Sequence, residues 1–216
     1  MPIIAVAGRK GGIGKSTIAG NLAGEFAKSG RTVALLDADP QHSLAAWAAE
    51  GDGVLATCVH EVDGGRTETL KAMVRRAEKN FDLIVIDTPP GMPDVVFQAA
   101  LLADLALLPC GPSPLDLFAL KQTLNLVLKA RAQRRAKRPR IRFVPSKVLS
   151  NTNLGRSLSS SLDQLGKKVL PSIGQRIVLA EAVLSGLTIC EFAPSSTAHR
   201  EFEELAKAVV QIIDHH

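Results

Sequence analysis

The chain has 216 residues, 46% of them hydrophobic and 22% charged, with a formal net charge of +5. That length supports one sizeable core, so a single domain spanning residues 1–216 is expected. Cysteines at 58, 110 and 190 form no CxxC pair, which argues against a disulfide framework or a cysteine-built metal site, and no apolar run approaches the ~20 residues that cross a bilayer. With no secretory-type opening either, the expected setting is the cytoplasm.

Short apolar runs alternate with longer amphipathic ones along the chain. In order, the patterns predict a strand at 3–7, helix Lys15–Lys28, strand Val33–Asp37, helix Ser43–Ala49, strand 54–59 and helix 67–79. They continue with strand Leu83–Asp87, helix Pro93–Leu102, strand 105–109, helix 115–135, strand 141–145, helix 154–165, a short strand at 168–170 and helix 196–213. Several strands are apolar at consecutive positions, as strands covered on both faces are. Strand–helix alternation of this kind predicts an α/β fold with a doubly wound, mainly parallel sheet flanked by helices.

Between the first strand and the first helix lies Lys10-Gly11-Gly12-Ile13-Gly14-Lys15-Ser16-Thr17. Glycines at 11, 12 and 14 permit a tight turn whose successive N–H groups point at phosphate oxygens. The helix that follows adds unpaired N–H groups and the positive end of its dipole. Lys15 supplies charge to the β- and γ-phosphates, and Ser16 offers a hydroxyl to magnesium. The strand–loop–helix context makes ATP with Mg2+ the expected ligand. Two later strands end in acids: Asp37-Ala38-Asp39-Pro40-Gln41 and Asp87-Thr88-Pro89-Pro90-Gly91. In an open α/β sheet, ligands bind beyond the carboxyl ends of the strands, where both segments fall. Asp87, after four apolar residues, has the form of a magnesium-holding acid; Asp37 is a second candidate for the magnesium shell or for a structural role.

The loop departs from G-x-x-x-x-G-K-[ST], because Arg9 stands where the first glycine belongs and Lys10 adds a second lysine. In this it resembles the deviant Walker A loop of the ParA/MinD family of P-loop NTPases. The resemblance implies that Lys10 reaches the phosphates of a second subunit in an ATP-dependent homodimer, acting as an arginine finger does. It also implies that Asp39 orients the attacking water and that Pro89, Pro90 and Gly91 form a switch II loop sensing the γ-phosphate. The motifs Asp39-Pro40-Gln41, Pro112-Ser113-Pro114-Leu115-Asp116 and Gln175-Arg176 look most like small ParF-type partition ATPases. The family places adenine near residues 146–148.

What such an ATPase acts upon is less narrowly constrained. Basic residues concentrate between Lys129 and Arg142 and again at Lys147, Lys167, Lys168 and Arg176. They are either solvated faces or contacts to double-stranded DNA without base recognition. The family resemblance singles out Arg176, followed by Lys147, Lys167 and Lys168, and implies a nucleoid-associated protein with a ParB-like or other cargo adaptor that accelerates slow ATP hydrolysis. A MinD-like membrane regulator and a metabolic enzyme of the same fold remain alternatives. The last helix carries acids and little aromatic character, which suits packing on the core better than a membrane anchor. His215 and His216 read as a tail or a tag remnant.

Overall fold

The computed structural model describes residues 1–62, 66–134 and 138–214. The end of the predicted helix at Arg135, and His215 and His216, lie outside these residues. The strands are β1 (Ile3–Val6), β2 (Val33–Asp37), β3 (Val59–Glu61), β4 (Leu83–Asp87), β5 (Leu105–Cys110) and β6 (Arg140–Pro145). They form a six-stranded sheet in the order β3-β2-β4-β1-β5-β6, every pairing parallel. The helices are α1 (Lys15–Lys28), α2 (Ser43–Ala49), α3 (Leu55–Cys58), α4 (Thr67–Ala77), α5 (Pro93–Leu102), α6 (Pro114–Ala132), α7 (Asn153–Asp163), α8 (Ile177–Leu184), α9 (Ile189–Phe192) and α10 (Thr197–Asp214).

Period-2 alternation sorts each strand between two cores. Ile4, Val6, Val33, Leu35, Leu83 and Val85 face α1, α2, α9 and α10. Ala5, Leu36, Ile84 and Ile86 face α4 and α5, while Leu108, Ile141 and Phe143 face α6 and α7. By the same parity Asp37 and Asp87 continue the α1 side. Register places both in one row, since Asp37 pairs with Asp87 and Asp87 with Val6. The expected doubly wound parallel sheet is therefore present, with the glycine loop and both acids at its carboxyl edge.

Three local expectations are corrected. Residues 54–59 divide into the helical turn α3 and the strand β3, with Leu55 and Cys58 buried three residues apart. A short apolar run cannot distinguish a strand from a buried turn. The strand expected at 168–170 is a single bridge from Val169 to Phe143, halted at Pro171, which has no N–H to continue a ladder. The sequence patterns predict neither α8 nor α9. The sequence of α8, Ile-Val-Leu-Ala-Glu-Ala-Val-Leu, is too uniformly apolar to display a helical stripe, whereas Thr188 and Glu191 form the capping box that opens α9.

α1 is the spine of one layer. A Cβ at Gly20 would lie 2.5 Å from the Trp47 ring, and one at Gly24 would lie 2.7 Å from Thr188. Each glycine costs a helix interior about 1 kcal/mol relative to alanine, and here each admits a neighbour against the helix backbone. α10 buries Phe202, Leu205, Val209 and Ile213, and His199 Nε2 lies 3.1 Å from Glu25 Oε1 of α1. The last helix is thus packed on the core, as its sequence suggested. Phe202→Ala should destabilise the fold by about 3–5 kcal/mol through the cavity it leaves, measured as a lowered urea midpoint with an unchanged m-value.

Candidate nucleotide site

β1 ends at Val6 and the chain turns through Gly12 (φ 72°) and Gly14 (φ 87°), left-handed conformations that favour glycine. Gly14 then caps α1, and its carbonyl accepts the Ile18 N–H at 2.9 Å. Gly11 and Gly12 are exposed, whereas the Ile13 side chain is buried; a Cβ added at Gly8 would fall 2.6 Å from it. Lys15 is 6% exposed and donates to the Lys10 carbonyl at 3.1 Å. Burial lowers its pKa, while the charges of Asp87 and Asp39 oppose that shift. Lys10 pairs with the mostly buried Asp116 in the first turn of α6. Asp116 belongs to the Pro112-Ser113-Pro114-Leu115-Asp116 motif, and its signal in the sequence is an acid just after the helix-starting Pro114.

Asp87 is fully buried at the end of β4. Its Oδ2 accepts the Ser16 hydroxyl at 2.5 Å, and its Oδ1 is buried without a partner among the described residues. Burial pushes its carboxyl up to about 7 despite the Ser16 bond and the Lys15 charge. An unpartnered carboxylate oxygen beside a hydroxyl is the hard oxygen donor set that suits magnesium. Asp37 is also fully buried, but its oxygens are engaged: Oδ1 by the Asp39 N–H at 3.1 Å, Oδ2 by the N–H groups of Leu44 and Ala45 at 2.9 and 3.3 Å. It therefore caps the first turn of α2 and holds the loop carrying Asp39. Asp39 accepts the Gln41 N–H at 3.0 Å.

The segment of Pro89, Pro90 and Gly91 lies against the glycine loop. The Gly91 N–H donates to the Arg9 carbonyl at 3.0 Å, and Thr88 donates to the Val6 carbonyl through its hydroxyl at 3.0 Å. On the other side of the loop, a cavity of ≈ 490 Å³ is lined by Gly14, Thr17, Ser146, Lys147, Gln175 and the α8 residue Leu179, among others. The segment expected to meet adenine thus forms one wall of this cavity, and the unforeseen helix α8 forms another.

The four basic candidates separate. Lys147 and Arg176 line that cavity, and the Arg176 guanidinium is clasped by Glu201 at 2.5 and 3.1 Å. Lys167 and Lys168 precede the Val169 bridge at the outer edge of β6. In the 129–142 run, Arg134 and Arg138 pair with Asp104, just before β5, and Arg140 donates to the Ile212 carbonyl. These contacts brace the end of the sheet opposite the glycine loop. Arg135 and Lys137 of that run lie outside the described residues. The thiols of Cys58 and Cys110 are buried and pushed up to about 12 by that burial.

The fold and this loop define a nucleotide-binding class, and comparison with known proteins agrees. The model of the CobQ/CobB/MinD/ParA nucleotide binding domain matches residues 4–189, and the chain belongs to this ParA/MinD family, whose ParA and MinD members are ATPases. It is 30% identical to the maintenance of carboxysome distribution protein A of Halothiobacillus neapolitanus, over 96% of this chain and 95% of that protein. It is 29% identical to the chromosome-partitioning ATPase Soj of Thermus thermophilus, over 96% of this chain and 94% of the other. Among solved structures, an ATP complex of Cyanothece McdA matches with a TM-score of 0.80 at 18% identity, covering 99% of this chain and 96% of that one. The septum site-determining protein MinD of Pyrococcus horikoshii with Mg-ADP matches with a TM-score of 0.75 at 22% identity, covering 96% and 95%. Both structural likenesses bear on the fold alone.

The raised pKa of Asp87 has a defined sign. The unfolded chain releases this proton near pH 4 and the folded chain near 7, so the stability of the nucleotide-free chain is full below about pH 4 and falls as pH rises toward 7. Asp87→Asn should remove that decline, raising stability at pH 8 by on the order of 2–4 kcal/mol in urea unfolding. It should also remove the magnesium dependence of nucleotide binding, read by isothermal titration with and without the ion.

Proposed function

We propose that the chain binds ATP with magnesium, closes as a two-fold homodimer over two nucleotides, and uses slow ATP hydrolysis to position a cargo over DNA. The observation that carries this reading is the division of labour between the two loop lysines. Lys15 lies buried within its own loop, whereas Lys10 stays partly exposed and is held by Asp116 of α6. A lysine so placed is free to exchange Asp116 for the phosphates of a second copy.

The loop N–H groups of residues 11–17 and Lys15 hold the β- and γ-phosphates, and the cavity beside Ser146 and Lys147 receives the base and ribose. Ser16 and Asp87 hold magnesium, which when bound neutralises phosphate charge during transfer. Asp37 acts through the backbone, fixing the loop from which Asp39 orients the attacking water. Lys10 of the second copy stabilises the charge that develops on the transferred group. The contact between Gly91 and Arg9 lets loss of the γ-phosphate be felt in switch II, so the dimer parts after hydrolysis.

Exposed apolar side chains flank the loop on both sides and support a covered face in the dimer: Leu115 and Phe118 beside Asp116, and Ile177 and Leu184 on α8. The names of the Halothiobacillus and Thermus relatives, one for carboxysome distribution and one for chromosome partitioning, support positioning as the task. An adaptor would then accelerate turnover, and nonspecific double-stranded DNA would meet Lys168 and neighbouring bases of the outer edge, doubled in the dimer. No helix among the described residues is long and apolar enough to cross a membrane. The apolar residues of α10 are buried against the core, which disfavours its use as an interfacial membrane anchor.

Three sets of variants test this. Lys15→Ala should abolish ATP binding and ATP-driven dimerisation, while Asp39→Ala should bind ATP and dimerise but release no phosphate above background. Lys10→Ala should retain ATP affinity and lose both dimerisation and turnover, measured by light scattering and phosphate release. Joint replacement of Ile177 and Leu184 by aspartate should leave a chain that binds ATP as a monomer. DNA anisotropy completes the test: equal affinity with ATP, with ADP and without nucleotide would overturn the DNA-positioning reading.

A further inference from the structure

α2 follows the Asp39 loop directly and is held at both ends. At its start, Asp37 accepts from the N–H groups of Leu44 and Ala45 and also from that of Asp39. Between these points the turn is closed by the His42 N–H on the Asp39 carbonyl at 2.8 Å and by Gln41 on the Asp39 side chain. At its far end, Trp47 is 3% exposed and its indole N–H donates to the Leu187 carbonyl at 3.1 Å. The ring lies on α1 at Gly20, where any side chain would collide with it.

The anchorage that Trp47 grips is itself fixed to α1. Asn21 is buried, donates to the Thr17 carbonyl at 2.9 Å and accepts the Ile189 N–H at 2.7 Å. Thr188 rests on Gly24 and caps α9 with Glu191, which also accepts the Val54 N–H at 2.8 Å. Gly51 and Gly186 meet backbone to backbone, so that a Cβ at Gly186 would fall 2.1 Å from the Gly51 nitrogen. α2 thus has a fixed far end on the same helix whose first residues are Lys15 and Ser16. Rotation of α2 about that helix would carry Asp39 away from the phosphates, and a displacement near 1 Å is enough to slow a positioned reaction substantially.

We propose that Trp47 is a positioning residue for the hydrolytic step, acting through α2 to hold Asp39 over the nucleotide that α1 binds. The proposal rests on the ATPase reading above. Trp47 meets α1 at Gly20, beyond the glycine loop of residues 10–17, so its effect falls on turnover and not on ATP affinity.

The test is steady-state phosphate release by the wild-type chain, Trp47→Phe and Gly20→Ala with saturating ATP and magnesium, alongside the ATP dissociation constant of each. Trp47→Phe keeps a ring in place and deletes the N–H to Leu187; Gly20→Ala keeps the indole and displaces it. Both should lower kcat about tenfold and leave ATP affinity within about twofold, a split that general loosening of the fold would not produce. Unchanged turnover in Trp47→Phe, or ATP affinity falling in step with turnover, would overturn the role of Trp47 alone. Absence of phosphate release from the wild-type chain would overturn the ATPase reading and this proposal with it.

Discussion

A carboxylate buried at the end of a wholly buried strand must be neutralised, and the arrangement around Asp87 answers that need in stages. Ser16 satisfies one oxygen, Lys15 contributes its charge, and the remaining oxygen has no partner among the described residues. Lys15 is itself buried and leans on Asp87 and Asp39 for its charge. Acid and lysine therefore stabilise one another in a place that neither would occupy alone. The helix that presents Lys15 and Ser16, the strand that presents Asp87 and the loop that presents Asp39 are all constrained by this electrostatic balance.

Much of that arrangement was legible in the sequence. The glycine loop, the two acidic strand ends and the alternation of strands and helices each follow from local pattern, and they meet because parallel strands share one carboxyl edge. Contacts made across the fold were not legible. Asp37 and Asp87 read alike as acids closing apolar strands, yet the two carboxylates differ in what lies beside them. The first turn of α2 supplies N–H groups to Asp37, and no described residue supplies the second oxygen of Asp87. Arg176 reads in sequence as a cation open to an anionic partner, whereas the fold of α10 brings Glu201 to it. The helix α8 is not legible in the sequence because a segment packed on one side and bare on the other can be apolar throughout, leaving no periodicity.

The two ends of the sheet carry opposite kinds of polar work. At the carboxyl edge, charged groups are buried and incompletely paired, the condition of a site that awaits a ligand. At the amino edge, Asp104 accepts the Ile3 N–H and draws in Arg134 and Arg138, while Arg31 reaches Asp214 at the end of α10. Charges that look alike in a count of basic residues are thus divided between framework and surface, and net charge alone overstates what is available to an anionic partner.

The pairing of Asp37, Asp87 and Val6 in one row has a consequence for how the chain avoids misfolding. Side chains alternate faces along a strand, so a one-residue slip of β2 or β4 would thrust a carboxylate into the apolar cluster of Leu36, Ile86 and Val95. The slipped sheet would bury an unpaired charge far from Ser16 and Lys15, a penalty much larger than the loss of a few apolar contacts. The two acids at the carboxyl edge therefore also act as alignment marks, rejecting the wrong pairing of two otherwise similar aliphatic runs.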